Sequence, residues 1–272
     1  MEKKPWKSSA KNPREYLKVH YKGSDFMDYE KVPELANILE GKKIAFVGPS
    51  PHLTGTGSGE LIDSYDIIIR PGQMTNIPKN KKKDIGSRTD IICHSFNTLE
   101  RDEALKHIDF FKELQYIICS MVSGGDLKQQ ENLFPKLIAP VHNVEDRYLL
   151  KRYEEVGTIL NCGYAGLLTI LNYDIKEIYV TGMSFYNMGK YGDIYYDDYM
   201  EVVRSSGIMK KANKKNITPK DARDDLHNQI PQIEHLKSIA KENPELIKLD
   251  KYLTEKLFKD EKDSNDSSKT GE

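Results

Sequence analysis

The 272 residues are enough for one large α/β domain with a substantial buried core. With 41 basic and 42 acidic side chains the formal net charge is −1, which argues against a general nucleic-acid binder. A mean hydropathy of −0.64 and no long apolar run argue against a transmembrane helix.

Residues 1–27 are polar and basic and read as a flexible arm, a solvated tail rather than a nucleic-acid arm. They hold no apolar stretch of the kind a secretory signal needs. Residues 30–40 predict a helix with Pro33 in its first turn and Gly41 as its stop. An apolar run over 44–47 then ends at Gly48. A loop rich in Gly, Ser and Thr follows, then a short helical pattern over 59–64 and a second apolar run over 66–69 that ends in Arg70. This is the grammar of strand, turn, helix and strand that opens a doubly wound sheet. Ligands in such sheets sit beyond the carboxyl ends of the strands, where Gly48 and Arg70 fall. Gly55, Gly57 and Gly59 lack the dinucleotide spacing and there is no Gly-Lys-Ser phosphate loop, so simple turn chemistry competes with a phosphate cradle here. The lysine run within 76–84 reads as a solvated loop.

Residues 90–96 predict a buried strand, and 99–114 an amphipathic helix with Leu105, Ile108, Phe111 and Leu114 on one face. A strand over 115–122, a turn at Gly124 and Gly125, a helical stretch over 126–137, a short strand over 140–144 and a charged helix over 145–156 follow. Gly163 and Gly166 open a helix containing Leu167, Leu168, Ile170 and Leu171, and a strand over 177–181 ends at Gly182. A helix start of this kind suits a nucleotide phosphate, and equally a close-packed contact. Residues 187–226 form a long polar loop with basic runs, and the 187–225 part is expected to be mobile. Asn228 is a plausible N-cap for a last helix whose apolar stripe is Ile230, Ile233, Leu236 and Ala240, with Pro231 in its first turn. From Lys259 to the end the composition is that of a disordered tail. Alternating strands and helices favour a mainly parallel sheet with helices on both faces. Cys93, Cys119 and Cys162 lie in apolar or motif surroundings without zinc spacing, and read as reduced thiols of a cytoplasmic protein.

The string GELIDSYDIIIR with the later DIGSRT resembles the large sialyl motif of the eukaryotic-type sialyltransferases, glycosyltransferase family 29, and aligns without gaps over 48–70. Pro49 stands where the family usually has Asn, and Gly72 where a second Asn stands; both look like donor contacts in the family. Residues 161–186 resemble the small sialyl motif, with Gly166, Gly182 and the Glu177-Ile178 strand matched, and Tyr164 and Ala165 in place of a Ser-Thr pair. The disulfide that joins the two motifs in vertebrate members is not implied, because Ile44 lies near the position of its first Cys. Tyr195-Tyr196-Asp197 resembles the third motif, with Ile194 at the His position; Lys210, Lys211, Lys214 or Lys215 would have to replace that partner. His227 matches the His of the last motif, with Gln232 at the spacing of its Glu and Glu234 two residues on. His235, inside the helix, has no motif match.

The resemblance implies a single Rossmann-like α/β domain over 28–258, with a mostly parallel sheet flanked by helices in the glycosyltransferase-A-like sialyltransferase style. It implies an inverting transfer of sialic acid from CMP-sialic acid to an acceptor glycan hydroxyl. His227 would be the catalytic base, and Gly48, Ser50, Gly166, Gly182, Tyr195 and Tyr196 would contact the donor. No metal, cofactor, nucleic-acid partner or membrane span is expected. Three alternatives stay open at this point. One is transfer of a CMP-linked keto-sugar such as Kdo, another a metal-dependent transfer using Asp197-Asp198 or Asp224-Asp225, and the third a non-catalytic nucleotide-sugar binding protein.

Overall fold

Strand β1 (Lys43–Val47) shows how the fold is laid down: Ile44, Ala45, Phe46 and Val47 are all buried, so both faces of the strand are covered. That is the environment of a central strand in a parallel sheet, and a near-continuous apolar run is what it demands. In this computed structural model residues 27–72, 77, 79–95, 108–120, 139–185 and 228–266 are described. Around β1 they build β2 (Ile67–Pro71), β3 (Ile91–His94), β4 (Tyr116–Cys119), β5 (Val141–Asn143), β6 (Glu177–Thr181) and β7 (Ile247–Leu249). The sheet has 7 strands in the order β5-β4-β3-β2-β1-β6-β7, and every pairing is parallel. The register sets Ile44 opposite Ile67 on one side and Ile178 on the other.

Side chains of alternate parity feed two layers. Ile44, Phe46, Ile69, Ile178 and Val180 pack under helices α1 (Pro33–Leu39), α5 (Asp146–Val156), α6 (Cys162–Ile170), α7 (Gln229–Glu242) and α8 (Lys251–Asp266). On the opposite face Ala45, Val47 and Ile68 meet Ile62 of α2 (Gly59–Asp63) and Ile85 of α3 (Lys82–Ile85). Further along that face, Ile92, Ile117 and Cys119 meet Phe111 of α4 (Ile108–Lys112). The expected α/β architecture, a parallel sheet flanked by helices on both faces, is the observed one. The chain winds from β1 outward to β5, then crosses back to place β6 on the other flank of β1. The strand order therefore reverses between β1 and β6, and the crevice beyond their carboxyl ends is the ligand position of such sheets.

Local signals account for the helix ends. Pro33 opens α1, where a missing N–H costs nothing. α5 stops at Gly157, whose φ of 82° is a left-handed turn and whose N–H returns to the carbonyls of Tyr153 and Glu154. Asn161 and Asn228 cap α6 and α7 with their side-chain oxygens.

Several elements differ from expectation. The lysine run is not simply loop: Lys82–Ile85 is a short helix, and Asp84 within it is buried. The predicted stripe of α7 is rotated, because Ile230 is 68% exposed while Gln232 and Leu236 are fully buried. Asn228 fixes the helix start, and from there a 100° turn per residue carries Gln229, Gln232, Leu236 and Ala240 inward. β7 went unpredicted, since three residues are too few for a periodic signal to stand out. α8 extends to Asp266, into the stretch expected to be a tail from Lys259. Of the expected 99–114 helix, Ile108–Lys112 is helical and 99–107 lies outside the described residues, as do the 126–137 helix, the Gly124-Gly125 turn and the 187–225 loop.

His235 is more than an incidental residue of α7. Its Nδ1 is 2.7 Å from the hydroxyl of Tyr164, whose side chain is fully buried in α6. Burial, with help from the nearby Arg152 charge, lowers the imidazole pKa and keeps the ring neutral at pH 7. His235→Ala should therefore cost about 1–3 kcal/mol of stability by stranding the Tyr164 hydroxyl. Denaturant melts of the variant would measure this, and a change under 0.5 kcal/mol would contradict the bond.

Candidate active site beyond β1 and β6

The two loops that frame the crevice touch at their glycines. A Cβ on Gly48 would overlap the carbonyl of Gly182, and a Cβ on Gly182 would overlap the carbonyl of Gly48. Gly182 also holds a φ of 70°, a conformation that side chains resist. The contact is stitched by Gly48 N–H to Thr181 O at 2.8 Å and Ser50 N–H to Gly182 O at 2.9 Å. Both glycines are thus required by each other, whatever else approaches them.

Past Gly48 a single 3₁₀ turn, Pro51–Leu53, brings His52 back over the sheet. Its Nδ1 is 2.9 Å from Ser50 Oγ and its Nε2 is 3.0 Å from Asp250 Oδ2. Asp250 sits where β7 ends and α8 begins, and it is a hub. Oδ2 also accepts from Thr181 Oγ1 at 2.8 Å and from Gly182 N–H at 3.0 Å, while Oδ1 accepts from Leu253 N–H at 2.7 Å. The ring of His52 stacks on Tyr252, centroids 4.2 Å apart. Burial alone would raise the Asp250 carboxyl, but the bonds from His52, the Leu253 N–H and Thr181 outweigh it and hold the group below its ordinary value. A depressed folded-state pKa means the unfolded chain takes up this proton at higher pH. The stabilisation by Asp250 is therefore complete above about pH 4 and is lost as pH falls through the folded value. Denaturant melts of wild type and Asp250→Asn should accordingly differ at pH 7 and converge toward pH 2; a gap that stays constant with pH would refute the linkage. His52 and Asp250 were both missed in the sequence. Pro51-His52 reads as an ordinary turn, and Asp250 is 198 positions away from its partner.

The Gly-rich loop is tied down by protein rather than left open. Asp84 Oδ1 accepts from Gly57 N–H at 2.9 Å, and the N–H groups of Gly55 and Gly57 hold its carboxyl below the ordinary range. Turn chemistry thus accounts for these glycines, with φ of 81° and 68°. Arg70 at the end of β2 is fully buried, its guanidinium donating to Ile85 O at 2.6 Å and to Thr89 Oγ1 at 3.1 Å. It braces the α3–β3 connection. Gly72 has a φ of 77°, a conformation open to Gly and, less readily, to Asn. Glycine there keeps the turn while giving up the amide side chain expected from the large motif.

Gly166 is closely packed: an added Cβ would lie 2.5 Å from Cys93 Sγ on β3, so this glycine serves the packing of α6 on the sheet. Gly163 plays the same part against Pro71, 3.0 Å from such a Cβ. Tyr164 and Ala165, in place of the Ser-Thr pair, are buried and present no hydroxyl at the rim. The start of α6 is instead anchored by α7. Gln232 Oε1 accepts from Asn161 Nδ2 at 3.1 Å, and Asn161 Oδ1 accepts from Tyr164 N–H at 2.8 Å. Gln232 is the residue at the spacing of the last motif's Glu, so the small and last motifs are joined by it. Asn228 N–H donates to Thr158 Oγ1 at 3.1 Å, which pins the chain one residue after His227. His227, Tyr195, Tyr196, Asp197-Asp198 and Asp224-Asp225 themselves lie outside the described residues.

Among the described residues no group of three His, Cys, Asp or Glu side chains is placed to hold a metal ion, and no helix is long and apolar enough to cross a membrane. Residues 6–136 match the family model described as glycosyltransferase family 29 (sialyltransferase). That segment contains the large motif and stops short of the small one. Among solved structures the chain is similar to the sialyltransferase CstII from Campylobacter jejuni in complex with cytidine-5'-monophosphate. The two share 16% identity over 77% of this chain and 80% of that one, with a TM-score of 0.48. It is also similar to a mammalian sialyltransferase, at 13% identity over 92% of this chain and 81% of that one, again with a TM-score of 0.48. No curated protein matches the sequence.

Proposed function

We propose that the chain, whose residues 6–136 match the glycosyltransferase family 29 (sialyltransferase) model, is a glycosyltransferase that moves sialic acid from CMP-sialic acid to a glycan hydroxyl, with inversion. The observation that carries this reading is the family match spanning the stretch that forms β1, the Gly-rich loop and β2. Its physical support is the crevice at the reversal of strand order, where the loops after β1 and β6 meet.

In this reading the donor lies across the carboxyl ends of β1 and β6, over the backbone at Gly48 and Gly182 and beside Ser50. Tyr195 and Tyr196 meet its phosphate. Gly166 acts one step back, by seating α6. His227 takes the proton of the acceptor hydroxyl as that oxygen bonds to the anomeric carbon, while the bond from that carbon to the CMP phosphate oxygen breaks through an oxocarbenium-like state. A base that accepts the proton only as the new bond forms needs a neutral imidazole near pH 7. The charge that develops on the leaving phosphate is met by protein groups, so transfer proceeds without a divalent cation. The free thiols of Cys93, Cys119 and Cys162 suit a reducing compartment, and the cytoplasm is the proposed location.

The test has two stages. A thermal-shift panel of CMP, CDP, UDP and GDP should single out CMP; a ligand at a hundred times its dissociation constant adds about 2.7 kcal/mol to stability. Release of CMP from CMP-sialic acid with a glycan acceptor is then followed with and without EDTA, and the rates should be equal. Activity that EDTA abolishes and magnesium or manganese restores would favour a metal-dependent transferase. The buried Tyr164 and Ala165 motivate one second reading, a CMP-linked keto-sugar such as Kdo as donor. Transfer from CMP-Kdo but not from CMP-sialic acid would select it. CMP binding without transfer from either donor would indicate a nucleotide-sugar binding protein.

A further inference from the structure

Three segments distant in sequence converge on one carboxylate. The β1 loop reaches Asp250 through His52 Nε2 at 3.0 Å, and the end of β6 reaches it through Thr181 Oγ1 at 2.8 Å and Gly182 N–H at 3.0 Å. α8 starts on the same carboxylate through Leu253 N–H at 2.7 Å. The side chains of His52 and Asp250 are 8% and 7% exposed, so little water competes for these bonds. An ionised carboxylate only accepts. The Nε2 of His52 must therefore carry the proton it donates to Asp250, and Nδ1 faces the Ser50 hydroxyl at 2.9 Å. His52 thus bridges Ser50 on the β1 loop to Asp250, and Ser50 has a further interaction besides.

We propose that His52 and Asp250 are positioning residues that lock the loops after β1 and β6 into one wall of the donor crevice. The lock acts on Ser50, Gly48 and Gly182, which border the crevice, without itself touching the donor. This inference rests on the sialyl-transfer reading above. A purely structural role would lower the melting temperature and leave nucleotide affinity alone; a positioning role moves affinity in protein that is fully folded.

The test compares His52→Phe with His52→Gln, well below the melting temperature of each. Phenylalanine keeps a ring to stack on Tyr252 but cuts both polar links. Glutamine offers an acceptor to Ser50 and a donor to Asp250 side by side. His52→Phe should bind CMP about 10-fold more weakly and raise the KM for the donor, and His52→Gln should stay within about 3-fold of wild type. Wild-type affinity in His52→Phe, or equal loss in both variants, would overturn the proposal. If His52→Phe does not fold, Thr181→Val removes one donor to the same carboxylate and should weaken CMP about 3-fold; no change there would overturn it equally. Hydrogen exchange at the Ser50 and Gly182 amides provides a readout that needs no ligand. Both should speed up together in His52→Phe, or in Thr181→Val if His52→Phe does not fold, and stay near wild type in His52→Gln; acceleration at only one would refute the lock. Wild-type protein that fails to bind CMP would count against the sialyl-transfer reading, while coupled exchange in the same preparation would still show the two loops locked.

Discussion

His227→Ala should lose about 10²- to 10⁴-fold in turnover while binding CMP as before, because general-base catalysis is worth that factor and the proposed base serves the acceptor rather than the cytidine. The backbone around it gives this expectation a physical footing. Asn228 caps α7 and is held to Thr158, so the residue before it enters from a fixed point. A base immediately before α7 would meet the positive end of that helix's dipole, which disfavours an imidazolium and keeps the base available. Gln232 then ties that helix to the start of α6, which packs on the sheet. Single-turnover transfer and CMP titration on the same variant would check both halves. Near wild-type transfer would remove His227 from the chemistry. His235→Ala is a useful companion because its loss is expected in stability and not in the chemical step.

The second large effect is expected from Gly182→Ala, and nearly as large a one from Gly48→Ala. At Gly182 a Cβ meets the carbonyl of Gly48, and the φ of 70° is strained for any other residue. Overpacking against backbone costs about 1–3 kcal/mol and the left-handed conformation about 1–2 kcal/mol more. The sum, about 3 kcal/mol, is a large share of the stability of a typical domain. Gly48→Ala lacks the conformational part and should cost less. Both changes spread the loops after β1 and β6 and so should weaken CMP binding as well. Urea melts would measure the stability, and a loss below 1 kcal/mol in Gly182→Ala would mean that the two loops separate easily.

The repeating chemistry of the chain was legible without a structure. Apolar runs over 44–47 and 66–69, each closed by Gly48 or Arg70, mark strands whose partners cover both faces, and alternation with helices dictates a parallel sheet. Pro33 and Asn228 are local signals whose effect depends on their own backbone, so those helix starts could be read from them; Gly157 and Asn161 act in the same way but entered with the structure. The large-motif stretch also pointed to the carboxyl end of the sheet, because the position beyond a strand's carboxyl end follows from the winding alone.

What the tertiary structure decided is whatever depends on which distant atom arrives opposite. A glycine shows that space is needed but not for what: Gly166 is small because Cys93 is there, and Gly48 because Gly182 is. The inward face of α7 follows the phase set at Asn228, so Ile230 points out and Gln232 in, against a count of apolar residues. The bond between His52 and Asp250 links residues 198 apart, and only the crossover that lays β7 beside β6 brings them together. Sequence periodicity is a one-dimensional signal and carries the layers. A hydrogen-bonded hub is a meeting of three loops, and it exists only once the sheet has placed their ends within about 3 Å of one another.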